Sequence, residues 1–209
     1  MKSDMSNSEK YYPTYILIAV NVLVYVYTSV VGGSFLETGN SMLYQWGQTG
    51  GAVIFDGAYY QLLTSMFVHA DIVHIAGNMI FLLVFGLRCE EMFSLPEYLS
   101  IYFLGGIAGN ILSLLFLPWN IVSIGASGAI FALFGGAIVH ARRSVGQSVI
   151  GALIYGFFLL FLSSSPNVNY LAHIGGLAVG LVIGYVLATR RKRGVEYKTR
   201  SSYGNPFAI

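Results

Sequence analysis

The chain has 209 residues, 56% of them hydrophobic, and a mean hydropathy of +0.68. Its 11 basic and 9 acidic residues make up 10% of the sequence, where a soluble domain carries about a quarter. Such sparse charge excludes a disordered chain and a water-exposed globule, and a single cysteine, Cys89, excludes a disulfide-stapled secreted domain.

What remains is a polytopic, all-α membrane protein. A span needs roughly 20 mainly apolar residues to cross about 30 Å of hydrocarbon. The qualifying stretches lie at about 14–31, 72–87, 98–117, 125–141, 146–163 and 170–189. Residues 1–12 read as a short polar tail and 13–189 as a six-helix membrane domain. Residues 190–209 form a basic tail that includes Arg190-Arg191-Lys192-Arg193, a composition suited to anionic lipid rather than to nucleic acid. The first apolar run is longer than a signal-peptide core, and no small-residue cleavage site follows it.

The charges test the count. With six spans, the N-terminus, the 88–97 and 142–147 turns and the C-terminal tail share one face. Lys2, Lys10, Arg88, Arg142, Arg143, Arg190, Arg191, Lys192, Arg193, Lys198 and Arg200 all fall there, which is every basic residue of the chain. The positive-inside rule makes that face cytoplasmic. A prokaryotic plasma membrane is the expected location.

Between the first two spans lies a long external loop, 32–68, with Phe35, Trp46, Phe55, Tyr59 and Tyr60. Loops of this length are commonly functional, and its apolar content predicts that it embeds in the outer leaflet. The second span carries His74 and Asn78, four residues apart and so on one helical face. The fourth opens on Gly125-Ala126-Ser127-Gly128. Alone, that motif fits close helix packing as well as chemistry. The sixth carries His173, followed by Gly176, Gly180 and Gly184 every fourth residue, a stripe that predicts tight helix packing. His69 raises zinc as a rival, but no H-x-x-x-H or H-E-x-x-H spacing occurs. No metal and no cofactor is expected.

Depth links these residues. Counted along helices from the cytoplasmic basic residues, Ser127 lies about 22 Å up, His173 about 25 Å, His74 about 21 Å and Asn78 about 15 Å. Three spans thus bring a serine, two histidines and an asparagine into the outer half of the bilayer, where polar groups are costly and default to function. Those are the parts of a serine hydrolase. His173 is the base for Ser127. Asn78, His74 and the Ser127 backbone N–H are the oxyanion donors. No acid lies inside a span, so the expectation is a Ser127–His173 dyad. Phe131, one turn beyond Ser127, is placed to stack on the imidazole.

The set His69-x4-His74-x3-Asn78, Gly125-Ala126-Ser127-Gly128 and Ala172-His173-Ile174-Gly175-Gly176, in this order on the second, fourth and sixth spans, resembles the rhomboid intramembrane serine proteases over about residues 59–187. The resemblance implies cleavage of single-span or other transmembrane substrates near their outer end, with the roles just given. It also implies a structural role for Glu90, a membrane-embedded first loop, and a lateral gate and cap formed by the fifth helix and residues 164–169. It departs from the pattern at Tyr60-Gln61, where family members often carry Trp-Arg, so the arginine bonds that brace the loop cannot form in the same way. Two rivals accompany the protease: a catalytically silent relative that binds or escorts membrane clients, and a small transporter, which the lack of intramembrane acids and of repeats disfavours. The sequence leaves the oligomeric state and the substrate open.

Overall fold

A computed structural model describes residues 12–145 and 168–202. Within them the chain is helical but for short loops and one two-stranded ribbon. In order come α1 (Pro13–Val31), α2 (Asn40–Trp46), β1 (Gln48–Thr49), α3 (Gly50–Phe55), α4 (Gln61–Thr64) and a 3-10 turn (Ser65–Phe67). Then follow α5 (Ile72–Met92), α6 (Leu95–Phe116), β2 (Val122–Ser123), α7 (Ser127–Val145) and α8 (Tyr170–Ser202). Among the described residues four helices are long and apolar enough to cross a membrane: α1, α5, α6 and the Tyr170–Arg190 part of α8. The apolar part of α7 is shorter, Ser127–Arg142. The expected fifth span, 146–163, lies outside the described residues, as do 164–167 of the expected cap.

Helix ends shift from the expected ones for local reasons. α5 starts at Ile72 as expected, where Asp71 caps it by accepting the His74 N–H at 2.8 Å, but it runs past Arg88 to Met92. The Arg88–Glu91 ion pair, 2.7 Å and one turn apart, lies on that extension. Ser94 N–H donates to Glu97 at 2.8 Å, and the α6 start carries a proline, which suits a helix's first turn. The expected 88–97 turn therefore contracts to two residues. α8 does not stop near 189 but continues as helix to Ser202.

α1 buries one stripe, Thr14, Leu17, Asn21, Tyr25 and Thr28, at helical spacing, and packs on α5. Its other face leaves Ile16, Leu23, Val26 and Val30 exposed, as lipid-facing residues are. Glu90 ties the two helices: its carboxylate accepts the Thr14 N–H at 2.8 Å. Thr14 Oγ1 in turn lies 3.0 Å from Tyr98 Oη.

α7 and α8 share the most extensive contact in the molecule among the described residues, and the glycine stripe is the reason. A Cβ on Gly176 would strike the carbonyl of Gly128, and one on Gly180 the carbonyl of Ala132. Gly184 meets the Gly136 backbone in the same way. The two backbones are in contact, as small-residue seams permit. Around α7, α6 and α5 supply a core that includes Leu82, Tyr98, Ile101, Tyr102 and Leu133, all 0% exposed. Residues 32–71 form short helices over the rim. β1 pairs antiparallel with β2, Gln48 opposite Ser123 and Thr49 opposite Val122, so the first loop is joined to the segment that leads into Ser127.

Candidate active site

Ser127 is the first residue of α7. Helix starts leave N–H groups without intrahelical acceptors, so its own amide is available. The turn before it is held by its neighbours. Gly125 has φ +109°, a left-handed conformation that suits glycine. A Cβ there would lie 2.8 Å from His74 Nε2, so glycine also lets the imidazole approach the loop. The Gly125 N–H donates to Ser65 O at 2.9 Å. The Ala126 N–H donates to His69 Nε2 at 3.4 Å.

His173 stands one turn into α8, 3% exposed. Its Nε2 lies 2.8 Å from Ser127 Oγ. Phe131 stacks on the ring, with centroids 4.5 Å apart and planes at 24°. The other ring nitrogen, Nδ1, is buried and has no partner among the described residues. If the serine hydroxyl donates to Nε2, the ring proton sits on Nδ1 and finds no acceptor there. A triad carboxylate would occupy that position.

His74 and Asn78 face the same turn from α5. The Ala70 N–H points at His74 Nδ1 at a long 3.5 Å, an arrangement that leaves the proton on Nε2, the atom beside Gly125. Asn78, 7% exposed, donates one amide hydrogen to the His74 carbonyl at 2.9 Å. The second hydrogen has no partner among the described residues and can serve a ligand. Its Nδ2 is 3.9 Å from where a Gly125 Cβ would be. Ser127, His173, Phe131, His74 and Asn78 therefore converge. Gly176, Gly180 and Gly184 lie below, in the seam.

The sequence matches a known family over most of its length: residues 56–190 fit the family described as Rhomboid domain. The chain belongs to the rhomboid family. It is 35% identical over 152 residues to the RHOMBOID-like protein 6, mitochondrial, of Arabidopsis thaliana, covering 69% of this chain and 49% of that one. It is 33% identical over 174 residues to the rhomboid protease GluP of Bacillus subtilis, covering 80% and 33%. With the chloroplastic rhomboid-like protein 11 of Arabidopsis thaliana it shares 35% identity over 164 residues, covering 69% and 58%. The chain spans about half or less of the length of several such relatives. The names spread over bacteria, mitochondria and chloroplasts. Membership of the rhomboid family thus gives a membrane protein, but the likeness does not support a prokaryotic plasma membrane in particular.

Three residues carry more of this rhomboid's site than the sequence reading gave them. His69 is 0% exposed, and burial, with His74 close by, pushes its pKa from the ordinary 6.5 down to about 3. It is neutral at physiological pH and serves as the acceptor for Ala126. Its ring meets that of His74 edge-on at 5.1 Å, and no group of three or more His, Cys, Asp or Glu suited to a metal forms among the described residues. Gln61 answers the Trp-Arg departure. It is 2% exposed. Its Nε2 donates to the Tyr44 and Gln45 carbonyls at 3.0 and 3.4 Å, and its Oε1 accepts the Thr49 N–H at 3.1 Å. The first loop is braced after all, by an amide that both donates and accepts. The third residue is Asn169, at the N-cap of α8. Its side chain accepts the Ala172 N–H at 3.1 Å.

Proposed function

We propose that this rhomboid is an active intramembrane serine protease with six spans, both termini cytoplasmic and the site near the outer face. The observation that carries the reading is the 2.8 Å contact of Ser127 Oγ with His173 Nε2, with Phe131 stacked behind the imidazole. Ser127 Oγ attacks the carbonyl carbon of the scissile bond while its proton passes to His173 Nε2. The oxyanion takes N–H bonds from the Ser127 backbone, His74 Nε2 and Asn78 Nδ2, groups set before the charge develops. His173 then returns its proton to the leaving amine. A water, activated by the same imidazole, hydrolyses the acyl-enzyme and frees Ser127.

The fold supports substrates that arrive within the bilayer. Ser127 lies on α7, which packs against α5, α6 and α8, and a peptide bond in a substrate's spanning helix, hydrogen-bonded within that helix, has to unwind to be attacked there. Single-span or other transmembrane proteins are the proposed class. The test is cleavage of a single-span protein by the purified chain in lipid vesicles, alongside labelling by a fluorophosphonate. Ser127→Ala and His173→Ala are expected to lose cleavage and labelling by about 10³-fold or more. Full activity in either variant overturns the dyad. A well-folded protein that neither cleaves nor labels favours the second reading, a silent rhomboid that binds membrane clients.

A further inference from the structure

The proposed chemistry leaves one well-connected side chain unused. Asn169 Nδ2 donates to Ser113 Oγ on α6 at 2.7 Å and to Ser123 Oγ on β2 at 2.6 Å. Its Oδ1 caps α8 through the Ala172 N–H. The Ser113 hydroxyl is itself fixed, donating to the Gly109 carbonyl at 2.8 Å. Gly109 is where α6 meets α8 most closely, since a Cβ there would lie 2.5 Å from the Ala172 carbonyl. Ser123 lies four residues before Ser127 on the strand that pairs with the first loop. One amide therefore joins α6, the strand leading to the nucleophile and the first turn of the base's helix. His173 is one turn further on, and its N–H points back to the Asn169 carbonyl at 3.4 Å.

We propose that Asn169 is the positioning residue for His173. It fixes the first turn of α8 relative to the Ser127 strand, the orienting job that a carboxylate on the second imidazole nitrogen does in a Ser–His–Asp site. Gly109 and Gly128 press α6 and α7 against the Ala172 carbonyl, and Asn169 adds the polar tie that sets this turn relative to the Ser123 strand. The importance of the role rests on the protease reading, but the geometry can be tested without it.

The test uses S127C in the full chain, in detergent micelles, with iodoacetamide alkylation followed against pH. A thiol beside an imidazole ionises below its usual value of about 8.5. The native Cys89 is 0% exposed and serves as the unreactive background. His74, His69 behind it and Tyr170, edge-on to His173 at 6.3 Å, are the other titratable rings at the site and are common to every variant. S127C is expected to show a lowered midpoint that H173A abolishes. N169S keeps a capping oxygen but has no amide to span both serines. In S127C it should raise the midpoint by about one unit, a tenfold change. S123A, which leaves the cap intact, should raise it less. With Ser127 in place, N169S should lower kcat about tenfold with KM within twofold. An unchanged midpoint in N169S overturns the proposal. So does H173A leaving the S127C midpoint where it was. If the wild-type chain neither cleaves nor labels while the thiol shifts occur, the protease reading falls and the positioning role stands.

Discussion

His69 and Asn78 show how much a single buried polar side chain decides here. His69 takes up a proton in the unfolded chain as pH falls through 6.5, but in the fold not until about 3. Its contribution to stability is complete above 6.5 and is lost progressively as pH falls from 6.5 towards 3. The thermal midpoint in detergent should therefore drop from pH 7 to pH 4.5 by more in the wild type than in His69→Gln, whose amide oxygen can still accept the Ala126 N–H. Equal drops would mean His69 is not the titrating group. Asn78→Ala removes a proposed oxyanion donor. On the precedent of such donors it should lower kcat about 10²–10³-fold with little change in KM, measured on the vesicle-borne substrate. The convergence of Ser127, His173 and Phe131 was legible in the sequence, because polar residues on three spans share one depth although the serine motif alone fits packing as well. Asn169 and Gln61 were not, since polar residues at loop edges are ordinary and their partners are distant along the chain.

At the scale of elements, the periodic features were the readable ones. The four-residue glycine spacing announced a tight seam on α8, which the fold sets against α7, and the apolar runs announced α1, α5, α6 and α8. The start of α5 at Ile72, capped by Asp71, was legible as well; ends were missed where α5 runs on to Met92 and where capping at Ser94 starts α6 at Leu95, ahead of the apolar run. Gly180→Leu should force the α7 and α8 backbones apart and destabilise the fold by about 1–3 kcal/mol or more, read as a lower thermal midpoint. The first loop makes a less intuitive case. Gln61→Arg restores the residue type common in the family, yet it should destabilise this chain. Arginine offers donors to Tyr44 and Gln45 but no acceptor for the Thr49 N–H, and a buried unpaired donor costs about 1–3 kcal/mol. A midpoint equal to or above the wild type would refute this account of the brace.

For the whole molecule, the proposed six-span topology puts both ends of the chain on one side. Single cysteines introduced by Ser3→Cys and Ser202→Cys should react with an impermeant maleimide from the same face of sealed membranes, the cytoplasmic one, with Cys89 silent in its core position. Labelling from opposite faces would require an odd number of spans. The α7–α8 seam carries a consequence for how such an enzyme ages. The proposed nucleophile and base, Ser127 and His173, ride on two rods whose main chains touch at Gly176, Gly180 and Gly184, contacts with no side chain that could loosen by degrees. Heating should therefore leave the rate per molecule intact until the rods part, and then abolish it. Surviving activity should follow the fraction of folded molecules as a single step.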